Sequence, residues 1–178
     1  GPAANAALSE PRAVTVDLAG NILVADTGNE RVLRVAASDQ NISSIAGVGP
    51  QDGFSGDNGQ GLSARLNGPQ GLARASNGDF YIADTINNVN RKLTPQGIIT
   101  TFAAVTSPQG MDFDGSGNLY VATGPTVEKV ASNGTVTRFA GTGVNGFDAD
   151  GGQATSAKLN LAEDVAVDGA GNVYIADT

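Results

Sequence analysis

Short runs of apolar residues, each bounded by glycine, asparagine or aspartate, recur along the whole chain. In the first unit Val14 and Val16 alternate with smaller or polar neighbours, which is the pattern of a half-buried strand. Glycine and asparagine between the runs readily adopt the positive φ that tight turns need. The pattern therefore predicts four antiparallel strands joined by turns, at Arg12–Asp17, Ile22–Ala25, Arg31–Ala36 and Ile42–Ala46.

The second of these strands opens a stretch, GNILVADTGNERVLRV, that the chain repeats. Related stretches follow as GDFYIADTINNVNRKL, GNLYVATGPTVEKV and GNVYIADT. Repetition of one strand-turn-strand unit marks a repeat architecture, and four short antiparallel strands per unit are typical of a propeller blade. The sequence therefore predicts an all-β fold of consecutive four-stranded blades. The four stretches are Gly20–Val35, Gly78–Leu93, Gly117–Val130 and Gly171–Thr178.

Two of the junctions between units carry a longer insert, and the two inserts are related. GFSGDNGQGLSARLN spans Gly53–Asn67, and GFDADGGQATSAKLN spans Gly146–Asn160. Because both inserts begin with Gly-Phe, we expect Phe54 and Phe147 to cover the edge of a blade. We also expect a short helical turn in each insert, at Ser63–Leu66 and Ser156–Leu159.

At these residues the chain resembles the NHL repeat of β-propellers. The resemblance lies in Pro-x-Gly-[Val/Leu]-Ala-[Val/Leu]-Asp followed by Gly-Asn-[Leu/Val]-Tyr-[Val/Ile]-Ala-Asp-Thr-x-Asn-Asn-Arg, and the inserts resemble the form common in secreted or cell-surface bacterial proteins. The second unit departs from the pattern at Arg74-Ala75, and the third has Thr123-Gly124-Pro125 in place of the aspartate turn. The resemblance implies a β-propeller, of which this chain supplies about three and a half blades.

The repeats predict one partial propeller domain over residues 1–178. Each blade buries both faces against its neighbours, so a row of blades leaves an apolar flank at each end. We therefore expect either a piece of a larger propeller or a propeller completed by a second copy. The predicted parts are blade 1 at about 11–47, a connector at 48–68, blade 2 at about 69–105, blade 3 at about 107–141, a connector at 142–160 and a half blade at about 161–178.

Charge and composition disfavour several classes of function. The formal net charge of −8 has the opposite sign to that of proteins that bind nucleic-acid phosphates or anionic membrane surfaces. No apolar run approaches the ~18 residues that span a bilayer. The chain has no histidine and no cysteine, which removes the Ser-His-Asp triad, thiolate nucleophiles and the commonest metal ligands. We expect no nucleic-acid partner and no membrane insertion.

The turns between the second and third strands hold the candidate binding residues. A ring of polar side chains on one propeller face would suit a partner. Alternatively, aspartate and threonine would bond turn amides while arginine paired with aspartate inside each blade. Recurrence once per blade favours this structural interpretation. The candidate binding residues are Asp26, Thr27, Asn29, Arg31, Asp84, Asn87, Asn88, Arg91 and Asp177.

Acidic residues in two places suit a hard cation such as Ca²⁺, which takes oxygen ligands. DFDGSGN at Asp112–Asn118 resembles the start of a Ca²⁺ loop, but it lacks the distal glutamate and aligns with the first turn of other units. In the second insert, Asp148 and Asp150 are the metal candidates. Asx turns in glycine-rich loops account for both patterns, so we expect no bound metal and no cofactor.

Together these features favour a non-enzymatic propeller that acts as a binding or interaction scaffold. We expect it outside the cytoplasm, extracellular, periplasmic or at the cell surface, with another protein or a second copy of itself as partner. One alternative is a propeller enzyme, a Ca²⁺-dependent hydrolase or a lyase, whose site needs blades absent here. The others are RNA binding, which the negative charge opposes, and a propeller fragment made to study folding or assembly, with no activity of its own.

Overall fold

The computed structural model describes residues 1–148 and 151–178. Within these residues the chain is all-β, and its helical segments are four 3₁₀ turns of three residues each. Every strand pairing is antiparallel, and apart from one short connector strand in the second blade each blade joins strands that follow one another in sequence, which confirms the predicted fold class. The described part holds no helix long and apolar enough to cross a membrane.

The first blade is a four-stranded sheet in the order β1-β2-β3-β4. Its residues alternate between two faces, one packed on the second blade and one that carries the exposed Val14. Leu23 and Ala25 point into the interface with the second blade and are fully buried. The strands are β1 (Pro11–Val16), β2 (Ile22–Asp26), β3 (Arg31–Val35) and β4 (Ile42–Ala46).

The second blade has one strand more than the sequence predicts. Its order is β5-β9-β8-β7-β6, where the two-residue β5 belongs to the connector and pairs with the outer strand β9. The connector therefore pairs with the outer strand of the second blade before the chain continues into β6. The strands are β5 (Gly59–Gln60), β6 (Pro69–Arg74), β7 (Phe80–Asp84), β8 (Val89–Leu93) and β9 (Ile98–Ala104).

The third blade is a complete four-stranded sheet, and the last two strands form a two-stranded sheet against it. The third blade consists of β10 (Met111–Phe113), β11 (Leu119–Ala122), β12 (Val127–Val130) and β13 (Val136–Ala140). The last sheet consists of β14 (Ala162–Val167) and β15 (Val173–Asp177).

The helical turns of the two inserts lie earlier than the sequence analysis expects. They are 3₁₀ turns at Gly61–Ser63 and Ala154–Ser156, so the prediction of helix at Ser63–Leu66 and Ser156–Leu159 is wrong. The residues that follow are extended because Leu66 and Leu159 are wedged between neighbouring blades, where both are buried. Packing between sheets therefore decided the conformation of these segments.

Each first-to-second strand turn is an Asx turn, and in the second blade a different residue of the turn forms it. Asp17 accepts hydrogen bonds from the backbone N–H groups of Ala19 and Asn21, both at 2.8 Å. Asp114 and Asp168 repeat the arrangement in the third blade and the last sheet. The second unit has Ala75 at this position and uses Asn77 instead, whose side chain accepts from the N–H of Asp79 at 3.0 Å. Local side-chain bonding of this kind favours a turn over continued strand.

The inner strands β1, β6, β10 and β14 approach one another closely where glycine replaces a side chain. A Cβ on Gly71 would overlap the backbone oxygen of Gln109, and a Cβ on Gly110 would lie 2.6 Å from the Cα of Asp164. Both glycines therefore set the spacing of the blades around the axis. The four strands line a cleft of about 650 Å³.

Candidate functional site

Two of the candidate aspartates are fully buried and hold the chain that leads into their own blade. Asp26 Oδ1 accepts a hydrogen bond from the N–H of Ser9 at 2.7 Å, and Asp84 Oδ1 accepts one from the N–H of Asn67 at 2.7 Å. Ser9 and Asn67 occupy equivalent positions, immediately before the first strand of each blade. Each carboxylate thus ties the entry segment to the second strand of its blade.

The candidate Thr27 and its equivalent in the second blade, Thr85, both bond to the following blade. Thr27 donates its hydroxyl hydrogen to the backbone oxygen of Pro69 at 2.6 Å. Thr85 does the same to Pro108 at 2.7 Å. Both hydroxyl groups are buried, so the first and the second blade are each joined to the next by a hydrogen bond shielded from water.

Glu30 and Asn88 form a third kind of hydrogen bond across the same junctions. The sequence does not point to this role for Glu30. Its Oε2 accepts from the N–H of Gly68 at 2.6 Å, while Asn88 Oδ1 accepts from the N–H of Ser107 at 2.9 Å. Glu30 and Asn88 end equivalent turns with φ of 54° and 57°, a left-handed conformation that aims both side chains at the next blade. Because that conformation is rarer for glutamate than for asparagine, the sequence carries little signal for Glu30.

The candidate arginines pair with their aspartates from different positions. Arg31 lies directly opposite Asp26 across the β2–β3 pair, and its Nε is 2.7 Å from Asp26 Oδ2. Arg91 lies opposite Ile82 instead, two residues further along its strand, and its Nη1 is 3.4 Å from Asp84 Oδ2. The pairing of arginine with aspartate within a blade is thus present twice, with two geometries.

Arg91 is fully buried because the first insert folds over it. Its Nη2 lies 2.8 Å from Asp57 Oδ1 and donates to the backbone oxygen of Ser55 at 3.1 Å. The ring of Phe54 stacks on the guanidinium, 4.8 Å from ring centroid to Cζ, a favourable cation–π geometry. Phe54 therefore covers Arg91 of the second blade with its ring although the residue stays 52% exposed, whereas Phe147 in the second insert is 78% exposed, which contradicts the prediction for that residue.

The two buried carboxylates differ in their acidity. Burial raises the pKa of Asp26, but hydrogen bonds from Ser9, Asn29 and Arg31 outweigh it, so the pKa lies below the usual 3.8. Asp84 lies deeper, and there burial raises the pKa above 3.8 despite its bonds to Asn87, Asn67 and Arg91. The same side-chain constellation thus has opposite shifts because desolvation grows with depth.

The third blade lacks the buried aspartate of the first two blades and makes other contacts in its place. Thr123 stands at the aspartate position, and its hydroxyl group lies 2.6 Å from that of Thr126. The junction to the last sheet is made by backbone instead, since Gly124 and Ala162 form an antiparallel bridge. The departure from the repeat pattern at Thr123-Gly124-Pro125 therefore changes the turn, as expected. In the last sheet Asp177 is exposed and accepts from the N–H of Asn160 at 2.6 Å.

The structure therefore places most of the candidate binding residues in the junctions between segments rather than on an open face. Asn29 and Asn87 donate to Asp26 and Asp84 at 2.9 Å in both cases. Asn88 is exposed but uses its oxygen within the chain. A binding role for these side chains stays a prediction, and their intramolecular bonds favour the structural interpretation.

The inner cleft gathers charged side chains of both signs. Asp112 and Asp164 use oxygens to accept from the N–H groups of Val167, at 2.8 Å, and Val165, at 2.9 Å. Burial, and then the neighbouring charge of Asp112, raises the pKa of Asp164 above its usual value despite the bond from Val165. Arg74 crosses the first interface and donates to the backbone oxygen of Val16 at 2.9 Å. Asp112 and Arg74 thus join adjacent blades, whereas the bond of Asp164 lies within its own strand.

The residues considered for a metal ion are in ordinary contacts. Asp148 pairs with Lys158 at 3.3 Å, and Asp150 lies outside the described residues. Asp114, in the Asp112–Asn118 loop, bonds Asn118 and Ser116 as an Asx turn. Within residues 1–148 and 151–178, no three acidic, histidine or cysteine side chains are grouped in a way that would hold a metal ion.

Comparison with known proteins gives relatives of one repeat type. No family model matches the chain. It is 37% identical over 106 residues to the chicken NHL repeat-containing protein 2, and 34% identical over 108 residues to the human protein of that name. The matched stretch covers 59% of this chain but only 14% of each of these relatives, so it represents a small part of them.

Several solved structures share the fold at low sequence identity. A Bacteroides thetaiotaomicron protein of unknown function superposes with a TM-score of 0.75 at 23% identity, over 96% of this chain and 45% of that one. Virginiamycin B lyase from Staphylococcus aureus gives 0.66 at 16% identity, over 95% and 49%. The nidogen/laminin complex gives 0.70 at 15% identity, over 95% and 57%. An enzyme and a structure named for a complex thus share this architecture, so the fold alone does not assign an activity.

These comparisons confirm the expected repeat type, while its secreted, bacterial form stays a prediction. The matches in sequence are to proteins named for NHL repeats, and the sheets stack as the repeat pattern predicts. The chain is therefore built of NHL-type repeats folded as successive blades of a β-propeller.

Proposed function

We propose that this chain is a non-enzymatic β-propeller scaffold that binds a protein partner through the flanks of its end blades, and that a second copy of the chain is such a partner. The proposal rests on one observation. The two exposed flanks are the two halves of an interface that the chain already forms three times between its own sheets.

The flank of the last sheet carries the half that faces a following blade. The second residue after the turn glycine-asparagine or glycine-aspartate pair points toward the next blade in every unit, and it is buried as Leu23, Tyr81 and Tyr120. The corresponding Tyr174 is 59% exposed. An exposed ring at a position otherwise buried marks a surface suited to association.

The flank of the first blade carries the other half. Leu72, Met111 and Val165 face the preceding blade from the inner strands, and all three are buried. The corresponding Val14 is 68% exposed. Leu8, equivalent to the buried wedge residues of the two inserts, is also exposed. Burial of apolar area of this kind contributes roughly 25 cal/mol per Å² to association.

A second copy fits these flanks because the geometry is already repeated within the chain. Tyr174 of one copy would pack on Val14 and Val16 of the other, as Tyr81 packs on Phe113 at 4.9 Å between ring centroids. Such a contact joins different surfaces of the two copies and is therefore heterologous. It continues the row of blades without any new type of interface.

Light scattering on two flank variants tests this arrangement. Val14→Asp and Tyr174→Asp each place a charge in the proposed contact, and each variant alone is expected to be monomeric where the parent associates. An equimolar mixture of the two keeps one intact flank of each kind and should form a dimer. Val144→Asp, at an exposed apolar residue away from both flanks, should associate as the parent does. A parent chain that stays monomeric at every concentration, or a mixture that does not pair, would overturn the proposal.

The non-enzymatic part of the proposal has a separate test. Asp112 and Asp164 in the inner cleft accept hydrogen bonds from backbone N–H groups, and the candidate turn residues bond within the chain. Calorimetric titration with Ca²⁺ should therefore show no tight site. One tight site per chain would support the alternative of a Ca²⁺-dependent hydrolase or lyase instead.

A further inference from the structure

A groove of about 450 Å³ lies between the first and second blades, on the side of the first-to-second and third-to-fourth strand turns. It is lined by Leu23 and Ile45 of the first blade and by Phe80 and Leu93 of the second. Its size lies within the range of small-molecule sites, and its mostly apolar wall is typical of them.

The groove exists because the first interface lacks an aromatic pair that the other two interfaces contain. Tyr81 and Phe102 meet edge to face at 4.8 Å between ring centroids. Tyr120 and Phe139 repeat the arrangement at 4.8 Å. In the first blade the corresponding residues are aliphatic, Leu23 and Ile45.

The correspondence follows from strand register. Leu23, Tyr81 and Tyr120 each occupy the second position of the second strand. Ile45, Phe102 and Phe139 are each the extra residue of a β-bulge on the fourth strand, where the register shifts. A bulge re-aims its side chain, and in the second and third blades it brings the phenylalanine ring against the tyrosine. The first blade has the same backbone but aliphatic side chains at these two positions. Space therefore remains where the other two interfaces hold a pair of aromatic rings.

The walls of the groove suit an aromatic ring. The ring of Phe80 can contact the ring of a bound ligand edge to face, an arrangement that contributes about 0.5–1.5 kcal/mol beyond area burial in proteins. Leu62, which is 54% exposed, and Pro95 form the outer side. Because Leu62 is held by the connector, the wall is present without any movement of the blades.

One positively charged side chain lies at the open side of the groove. Arg34 lines it from β3 and is exposed. Among the ion pairs of the described residues, none involves Arg34. The nearby Asp17 accepts from two backbone amides and from Asn21 Nδ2 at 2.6 Å within its own turn. Asp17 also lines the groove, so the two side chains present opposite charges there, and Arg34 is the cation that a ligand carboxylate would meet.

We propose that this groove binds a small aromatic molecule carrying a carboxylate, with the ring between Leu23, Ile45 and Phe80 and the carboxylate near Arg34. The ligand's ring takes the place of the tyrosine–phenylalanine pair of the other interfaces. The site is independent of the end flanks, so its test does not depend on self-association.

Fluorine NMR of 4-fluorophenylacetate titrated with the full chain tests the site. The probe resonance should broaden and shift as protein is added, and 4-fluorobenzylamine should bind several-fold more weakly because its charge has the sign of Arg34. Arg34→Gln should weaken the carboxylate probe by about two- to fivefold, the size of one exposed charge interaction. An unchanged probe spectrum at millimolar protein, or equal binding of the amine, would overturn the proposal.

Filling the groove gives the decisive variant. Leu23→Tyr with Ile45→Phe restores the ring pair of the sibling interfaces and should abolish probe binding. Leu62→Asp, at an exposed position that leaves the fold intact, should weaken the carboxylate probe at least as much as Arg34→Gln. Val144→Asp, an exposed change that does not line the groove, is the matched control. If Leu62→Asp and the filled variant, each with native circular dichroism, bound the probe like the parent, the site would lie elsewhere.

Discussion

The hydroxyl group of Thr27 donates a hydrogen bond to the backbone oxygen of Pro69, 2.6 Å away in the next blade. Thr85 makes the same contact with Pro108 at 2.7 Å. These bonds cross two successive blade junctions, and both are shielded from water. The recurring threonine of the repeat therefore links blades, whereas the aspartate beside it holds the entry segment of its own blade.

Replacing either threonine should weaken one junction without emptying a cavity. Thr27→Val and Thr85→Val each remove a hydroxyl donor and leave a buried carbonyl unpaired, which should lower the free energy of unfolding by about 1–3 kcal/mol. The double variant should show the sum, because the two sites share no partner. Urea unfolding followed by circular dichroism measures this. Thr135→Val, at an exposed turn position, should change stability by less than about 0.5 kcal/mol.

The buried pair of Asp84 and Arg91 should be among the most sensitive points of the fold. Asp84→Ala removes the acceptor of buried hydrogen bonds from Asn67, Asn87 and Arg91. Buried donors then lose their partner, so the free energy of unfolding should fall by about 3 kcal/mol. Asp177→Ala makes the same change at the exposed equivalent and should cost less than about 1 kcal/mol. Equal losses in the two variants would show that burial of the pair is unimportant.

Close packing of the inner strands should make one glycine irreplaceable. A Cβ on Gly110 would lie 2.6 Å from the Cα of Asp164, and backbone cannot move aside as a side chain can. Gly110→Ala should therefore destabilise the chain by about 1–3 kcal/mol. Gly115→Ala, where a Cβ meets nothing within 4 Å, is the matched control and should have little effect. Thermal unfolding of the two variants side by side makes the comparison.

Acid should weaken the fold partly through Asp26, whose pKa lies below the usual 3.8. A carboxyl group with a lowered pKa adds stability that is full above the pKa of the unfolded chain and is lost as pH falls through the folded value. Stability should therefore decline below about pH 4. Asp26→Asn removes that contribution, so its unfolding free energy should change less between pH 4 and pH 2 than that of the parent.

Asp84 should give the opposite dependence, because its pKa is raised above 3.8. The contribution of a raised pKa is present below the unfolded value and is lost as pH increases through the folded value. Asp84→Asn should therefore alter the pH dependence above about pH 4 rather than below it. Unfolding curves of both aspartate variants at a series of pH values distinguish the two signs, and a shared pH window for both would contradict the assignment.

Much of the fold could be predicted because strands and turns depend on local pattern. The strand Ile22–Asp26 begins where the sequence predicts, after the Asx turn that Asp17 nucleates. The insert turns were placed two residues late because Leu66 is drawn into the interface between blades, a long-range effect. Glu30 was missed because its role depends on Gly68, far away in sequence and brought near only by stacking.

The order of apolar and polar residues by itself determined the strands, the turns and the stacking of repeated sheets, since alternation and turn chemistry act over a few residues. Only the tertiary structure decided what the repeated side chains do. Asp26 and Asp84 look alike in sequence, but depth in the fold separates their acidity. The groove beside Leu23 likewise appears only when two blades meet, because a missing ring leaves space only where a neighbouring surface encloses it.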